Sequence, residues 1–381
     1  MSQVEIAPWP TYAEDEQEAV AKVLASGNAN YWSGEECILF EQAFASWCDV
    51  KHGLSVFNGT VALEIALKAA GIQCGDEVIV TPRSFLASAA SVAAIGAIPV
   101  FADVDIDSGN LTAQTIKQVT TDKTRGVVVV HLGGWPADMP AIMELASEHN
   151  LTIIEDCAQA HGATIEGHKV GSFGHVAAFS FCQDKIISTG GEGGMIITND
   201  DSIRDIAWSL RDHGRNRDQT LSDNHQSGFR WTQERIGTNG RMTEIQGAIG
   251  RCQLQKVDGW LEERRTNAER LTLALRDLGG ISIPSVGEHA RNAFYRLTVL
   301  LDKEQKRDAL VETLRKSGIP AAVGPCPEIY RERAFADAGY TPNSTLSNAV
   351  NLGKRSIVLP VHPGTQASLQ VIIDQITSFC D

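Results

Sequence analysis

One lysine lies in a glycine-rich segment between two runs of apolar residues. The first run is Ala177 to Phe181, and the second is Met195 to Thr198. Lys185 stands in the polar turn between them, and a Ser-Thr pair and the glycines at 190, 191, 193 and 194 follow it. Glycines at this density let the backbone approach a ligand closely, and a partly desolvated lysine suits a Schiff-base nucleophile. The alternative is an ordinary lysine in a surface turn.

A second candidate site is the tripeptide Asn58-Gly59-Thr60, which lies between a predicted strand and a predicted helix. Backbone N–H groups and the Thr60 hydroxyl would gather at the positive end of that helix, where a phosphate binds well. The alternative is an ordinary N-cap, in which Asn58 or Thr60 serves only its own helix.

A carboxylate and an aromatic ring complete the candidate chemistry. Asp156 ends a buried strand at its carboxyl end, where ligands bind in open α/β sheets. A buried carboxylate there needs a cationic partner, and a protonated pyridine nitrogen is one candidate; the alternative is an Asp that caps the next turn. Gln159 and His161 extend this polar edge. Phe85 follows another strand and either stacks on a ligand ring or packs in the core.

The elements that carry these residues alternate between strand and helix. From residue 35 to 199 most strands are continuous apolar runs, which is typical of a parallel sheet covered by helices on both faces. After about Ile245 the pattern changes to a long charged helix, Gln253 to Leu275, and then to a mixed tail. We therefore predict an α/β fold with two domains. Residues 1–245 form an N-terminal arm and a large domain, and residues 246–381 form a smaller α+β domain.

Composition excludes several classes of function. The chain has 381 residues and a formal net charge of −14, which argues against nucleic acid as the main partner. The N-terminus has no basic start and no apolar core, so we expect no signal peptide, and we expect no membrane span. The eight cysteines are scattered without a CxxC pair, and the histidines lack ligand spacing. A cytoplasmic protein without structural disulfides or zinc is the expectation.

Taken together, the motifs resemble the DegT/DnrJ/StrS family of sugar aminotransferases, which are pyridoxal-phosphate enzymes of fold type I. The resemblance covers nearly the whole chain, and it rests on six segments that occur in the family's order. They are Asn58 to Leu63, Glu155 to Gly162, Ser180-Phe181 with Lys185, Gly191 to Met195, Asn239 to Met242, and Leu359 to Gly364.

The resemblance implies a role for each candidate residue. Lys185 would hold pyridoxal 5'-phosphate covalently and later move a proton, and Asp156 would keep the pyridine nitrogen protonated. Gly59, Thr60 and Ser180 would hold the phosphate, with Asn58 beside them. Phe85 would stack on the ring, Gln159 would lie near it, and Asn239 would come from the second subunit of a homodimer with shared active sites. Glutamate would donate the amino group and a keto-sugar would accept it.

Departures from the family pattern concern the acceptor. The segments His131 to Gly134, Cys182 to Asp184, Phe294 to Arg296 and Val323 to Pro327 all differ from the common family forms. A nucleotide-linked keto-deoxysugar for cell-surface polysaccharide, such as lipopolysaccharide, is the first expectation. A free keto-sugar acid, such as an oxidised octulosonate, is the alternative. A dehydratase would carry histidine in place of Lys185, and a non-catalytic regulator would lose that lysine or gain a DNA-binding segment.

Overall fold

The computed structural model describes residues 6–222 and 232–380. Residues 1–5, in which no signal peptide is expected, lie outside the described part, as do residues 223–231 and 381. Within the described part, no helix is long and apolar enough to cross a membrane.

Strands and helices alternate through the first half of the chain, as the apolar pattern predicts. The described strands are β1 (His52–Val56), β2 (Glu77–Val80), β3 (Ile98–Phe101), β4 (Thr124–Val130), β5 (Thr152–Asp156), β6 (Thr164–Ile165), β7 (His168–Lys169), β8 (Val176–Ser180), β9 (Gly194–Thr198), β10 (Ile281–Ser282), β11 (Ala290–Arg291), β12 (Leu297–Leu301) and β13 (Ser356–Leu359). The described α-helices are α1 (Glu14–Ser26), α2 (Glu36–Trp47), α3 (Gly59–Ala69), α4 (Ala87–Ala94), α5 (Ala113–Val119), α6 (Met139–His149), α7 (Asp201–Arg211), α8 (Arg217–Leu221), α9 (Glu244–Leu275), α10 (Glu304–Lys316), α11 (Arg333–Asp337), α12 (Ser347–Arg355) and α13 (Leu369–Cys380).

The central sheet of the described chain has seven strands in the order β1-β9-β8-β5-β4-β2-β3. Six of these strands run in the same direction, and β9 is antiparallel to both of its neighbours. Every residue of β8 and β9 is buried, as expected when helices cover both faces of a sheet. The mostly parallel sheet predicted from the sequence is therefore confirmed, and it brings the carboxyl ends of β1, β8, β5 and β2 to one edge.

A smaller antiparallel sheet lies in the C-terminal part, with the order β10-β12-β13. Its apolar residues pack with the end of α9 and with α10 and α13 in one separate hydrophobic cluster. The long helix α9 begins at Glu244, nine residues before the predicted start at Gln253, because Thr243 and Gln246 form a capping box there. The domain division between residues 245 and 246 remains our proposal, and α9 runs across it.

A buried ion pair ties α2 to α7 beneath the first strand. The side chain of Arg211 is fully buried, and its Nη1 lies 2.6 Å from Oε1 of Glu41. The same carboxylate oxygen accepts hydrogen bonds from the backbone and the hydroxyl of Ser55, each at 2.8 Å. Removing one member of such a pair leaves the other charge buried without compensation.

We expect Glu41→Ala to lower the free energy of unfolding by about 3–5 kcal/mol, because it leaves the buried Arg211 charge without a counter-charge. Urea unfolding followed by circular dichroism measures this change. Glu18→Ala is the matched control, since Glu18 is exposed and lies 3.9 Å from Lys22; its cost should stay below about 0.5 kcal/mol. Equal costs for the two variants would contradict the interpretation.

Candidate active site

The predicted site residues meet at the carboxyl edge of the central sheet. Asn58 follows β1, Asp156 ends β5, Ser180 ends β8 and Phe85 follows β2. Gly194 begins the antiparallel β9 and pairs with both Val56 and Ser180, so it lies at the same edge. Ligands bind at this edge in open α/β sheets.

The first turn of α3 packs tightly against the end of β8. A Cβ atom on Gly59 would lie 2.6 Å from Cβ of Ser180, which is too close for any other residue without a shift. The Asn58 side chain accepts a hydrogen bond of 2.9 Å from the N–H of Val61, so it caps the helix as the alternative interpretation holds. Thr60 is half-buried at the same helix end. The remaining first-turn N–H groups have no partner within the helix and suit an anion.

Asp156 is 5% exposed and its two oxygens have different partners. Oδ2 accepts a 2.7 Å hydrogen bond from the Ser88 hydroxyl, and Oδ1 accepts one of 3.2 Å from the N–H of Ala158. Burial raises the pKa of the Asp156 carboxyl, and the Ser88 hydrogen bond acts against that rise. Among the described residues it has no ion-pair partner, so a buried cation such as a pyridinium would complete its surroundings.

Two serines that the sequence analysis did not single out orient this carboxylate. The hydroxyl of Ser84 lies 2.9 Å from that of Ser88, and both side chains are buried. Ser84 lies three residues before α4, and Ser88 lies in the first turn of that helix. Helical spacing in the sequence could not have signalled this pair, because Ser84 stands outside the helix.

The lysine loop is fixed from two sides. Nζ of Lys185 lies 4.8 Å from the centroid of the Tyr295 ring, and the Tyr295 hydroxyl donates a short hydrogen bond to Asp184. From the N-terminal arm, Nε1 of Trp9 donates a 2.8 Å hydrogen bond to the carbonyl oxygen of Lys185. Lys185 is half-buried, and it lies close enough to Asp156 to favour the charged carboxylate. The ordinary surface-turn interpretation does not account for these contacts.

The structure excludes core packing for Phe85 and corrects the interpretation of His161. Phe85 is 66% exposed at the sheet edge, so the core-packing interpretation is wrong. His161 does not extend the polar edge, because it is fully buried against Phe44, Phe179 and Phe181. Burial lowers the pKa of His161 to about 3, so its ring is neutral.

Gln159 is held by a hydrogen bond to its side chain, whereas Asn239 is held through its backbone. Oε1 of Gln159 accepts a 2.8 Å hydrogen bond from the N–H of Gly133, which fixes the amide at the end of β4. Asn239 is exposed and its backbone pairs with that of Asp212. Trp32 is 40% exposed, and its Nε1 donates a 2.8 Å hydrogen bond to the side chain of Asp212.

This arrangement offers the parts that a phosphorylated pyridine cofactor needs. A helix N-terminus beside Ser180 suits the phosphate, and a buried carboxylate with no ion-pair partner in the described part of the chain suits a ring nitrogen. An exposed aromatic side chain can cover one face of the ring. A lysine amine lies at the same edge, where it can form a covalent bond to a carbonyl carbon.

Comparison with known proteins agrees with this geometry. Residues 10–377 match the sequence profile of the DegT/DnrJ/EryC1/StrS aminotransferase family. The chain is 39% identical over 344 residues to a GDP-perosamine synthase of Caulobacter vibrioides, covering 89% of each protein. It is 34% identical over 345 residues to a dTDP-3-amino-3,4,6-trideoxy-alpha-D-glucose transaminase of Streptomyces venezuelae, covering 91% of this chain and 86% of the relative. An aminotransferase structure from Psychrobacter cryohalolentis superposes with a TM-score of 0.95, at 44% identity and 98% coverage of both chains. The chain therefore belongs to the DegT/DnrJ/EryC1/StrS family and is an aminotransferase of fold type I that uses pyridoxal phosphate.

Proposed function

We propose that this enzyme works in the cytoplasm and transfers an amino group from glutamate to a nucleotide-linked keto-deoxysugar. The amino sugar would then be used to make a cell-surface polysaccharide. The observation that carries the proposal is a half-buried Lys185 beside the buried Asp156, which lacks an ion-pair partner among the described residues. Relatives named for GDP-perosamine and for a dTDP-linked amino sugar support the nucleotide-linked acceptor.

Lys185 and Asp156 divide the chemical work in this proposal. Pyridoxal phosphate supplies an electron sink that stabilises the negative charge left on a carbon when its proton departs. The Nζ of Lys185 would bind the cofactor covalently in the resting enzyme and would then carry the proton between two carbon atoms. The Asp156 carboxylate, oriented by Ser88, would hold a proton on the ring nitrogen.

The phosphate would be held by the first turn of α3 and by Ser180. Gly59 lets these two elements approach, and Thr60 and Asn58 lie in the same turn. On the ring itself, Phe85 would cover one face and Gln159 would lie near the ring edge.

We expect Gly59→Ala to weaken pyridoxal phosphate binding by about tenfold, because the new Cβ would lie 2.6 Å from Cβ of Ser180. Relieving such overpacking costs about 1–3 kcal/mol. Equilibrium dialysis of the cofactor measures the change. Gly259→Ala is the matched control, since a Cβ there meets nothing within 4 Å. An unchanged affinity in Gly59→Ala would remove α3 from the phosphate site.

A homodimer with shared active sites is the proposed assembly. Phe57 and Phe85 follow β1 and β2 at the sheet edge that carries the site, and they are 48% and 66% exposed. Apolar exposure of this kind typically marks an interface or a ligand site. Asn239 of one subunit would reach the phosphate held by the other.

A free keto-sugar acid is a second candidate acceptor, favoured by a cavity lined by two arginines beside the lysine loop. The test is to load the cofactor with amine from glutamate and then to add GDP-linked and dTDP-linked 4-keto sugars and a free keto-sugar acid. The proposal expects a nucleotide-linked sugar to restore the visible absorption band of the cofactor faster than the acid does. Faster restoration by the acid would overturn the nucleotide-linked assignment.

A further inference from the structure

We propose that a small cavity between the central sheet and the C-terminal antiparallel sheet binds a halide ion, which would be chloride in the cell. The cavity has a volume of about 30 Å³; we call it the Arg83 cavity. Its lining includes Arg83 and Leu132, which follow β2 and β4, and Thr298 and Leu352, which belong to β12 and α12. This inference does not depend on the proposed function, because it concerns a site that takes no part in amino transfer.

Arg83 supplies the main evidence for an anion. It is 3% exposed and forms no ion pair with any residue that the structure describes. Its Nη2 donates a 3.0 Å hydrogen bond to the hydroxyl of Ser356, while Nε and Nη1 are buried without a hydrogen-bond partner in the described chain. Burial lowers the pKa of Arg83 to about 10, which leaves the guanidinium protonated near neutral pH. A buried positive charge of this kind is costly unless a ligand supplies the opposite charge.

The other charged side chains of the cavity do not neutralise Arg83. Asp107 belongs to the lining, but it is exposed and forms no ion pair with either arginine of the lining among the described residues. Arg296 is the second arginine, and its partner Asp184 lies 3.7 Å from its Nη2 and outside the lining. With two arginines and one aspartate, the lining has a net positive charge.

The size of the cavity selects a small anion. One water molecule needs about 10–15 Å³ of such a volume, so the Arg83 cavity has room for one or two water molecules or for one halide ion. A phosphate group or a substrate, with several heavy atoms, would not fit. The surrounding backbone is close to the guanidinium, because a Cβ atom on Gly109 would lie 3.6 Å from Nε and one on Gly324 would lie 3.7 Å from Nη2.

An ion on Arg83 would strengthen an existing contact between the two sheets. The N–H of Ile329 donates a 2.9 Å hydrogen bond to the carbonyl oxygen of Pro82, and the backbone of Ser84 pairs with that of Cys326. Both neighbours of Arg83 are therefore already attached to the C-terminal part of the chain. We expect an anion that completes this contact to stabilise the folded enzyme, since it binds a site that the unfolded chain lacks.

Bromide is the direct probe of the site, because it can replace chloride and scatters X-rays anomalously. Crystals of the unmodified enzyme with its cofactor are soaked in sodium bromide, and diffraction is recorded at the bromine absorption edge. We expect an anomalous peak at hydrogen-bonding distance from Nε or Nη1 of Arg83. A water molecule at this position, or no peak there, would contradict the proposal.

Thermal unfolding measures the effect of chloride in solution. We expect chloride to raise the midpoint by about 2 °C when its concentration is tenfold above its dissociation constant. The reference is sodium gluconate at the same ionic strength, since gluconate is too large for the cavity. Arg83→Gln should abolish the difference between the two salts, and Arg83→Lys should retain part of it because lysine keeps the charge. Arg333→Gln is the matched control, because Arg333 has a side chain that is 93% exposed, and it should keep the full chloride effect.

Two results in solution would overturn the proposal. The first is a chloride effect of the same size in Arg83→Gln as in the unmodified enzyme. The second is a bromide peak without any chloride effect on the midpoint, which would mean binding at crystal concentration only. Because the bromide experiment uses the unmodified enzyme, it decides the matter even if the Arg83 variants do not fold.

Discussion

Lys185→Ala is expected to lower the rate of amino transfer by at least about 10,000-fold. The variant removes the proposed covalent attachment point and the proton carrier together, and positioned proton transfer alone contributes about 100- to 10,000-fold. The measurement is the rate at which glutamate changes the visible absorption of the cofactor, followed in a stopped-flow instrument. The fold should be preserved, because the loop is held through the Lys185 backbone by Trp9.

Lys68→Ala is the matched control for this variant. Lys68 lies in the last turn of α3 and is exposed, so its loss changes the net charge equally without touching the site. Its rate should stay within about twofold of the unmodified enzyme. A Lys185→Ala enzyme that retained a tenth of the activity would show that another group moves the proton.

Asp156→Asn is expected to slow both half-reactions by about 100-fold. Without the carboxylate the protonated form of the ring nitrogen would lose its counter-charge, which would disfavour that form by about 3 kcal/mol and weaken the electron sink. An amide has only one oxygen, so it can accept only one of the two hydrogen bonds that Ser88 and Ala158 donate to Asp156. A modest loss of stability should therefore accompany the kinetic effect. The affinity for pyridoxal phosphate, measured by equilibrium dialysis, should fall as well.

The matched control for Asp156→Asn is Asp138→Asn. Asp138 caps α6 by accepting a 3.3 Å hydrogen bond from the N–H of Ala141, and asparagine caps a helix about as well as aspartate does. Its activity and cofactor affinity should not change. If Asp156→Asn behaved like this control, the buried carboxylate would have no part in the chemistry.

The sequence predicted the sheet and its functional edge because those features follow from local patterns. Continuous apolar runs that alternate with helices indicate a parallel sheet, and Asp156 and Ser180 both end such runs. Asn58-Gly59-Thr60 was also predictable, since a strand, a glycine and a helix start are adjacent in the chain.

The remaining features depend on contacts between distant parts of the chain, which periodicity does not reveal. Trp9 bonds to Lys185 across 176 residues, and Tyr295 reaches the same loop from the C-terminal part. His161 was predicted at the polar edge because it follows Asp156 closely, but tertiary packing against three phenylalanines buries it. Phe85 shows the opposite case, in which an aromatic residue after a strand is exposed at the sheet edge and does not pack in the core.

The measurement that tests the central claim most directly is a transfer experiment with labelled glutamate. The purified enzyme with its cofactor is mixed with ¹⁵N-glutamate, its visible absorption is recorded, and a nucleotide-linked keto-sugar is then added for mass spectrometry. We predict that the absorption band decays with glutamate alone, that the sugar restores it, and that the label appears in the sugar as one amino group. A band that no amino acid changes, or a sugar that never acquires the label although the band decays, would contradict the account.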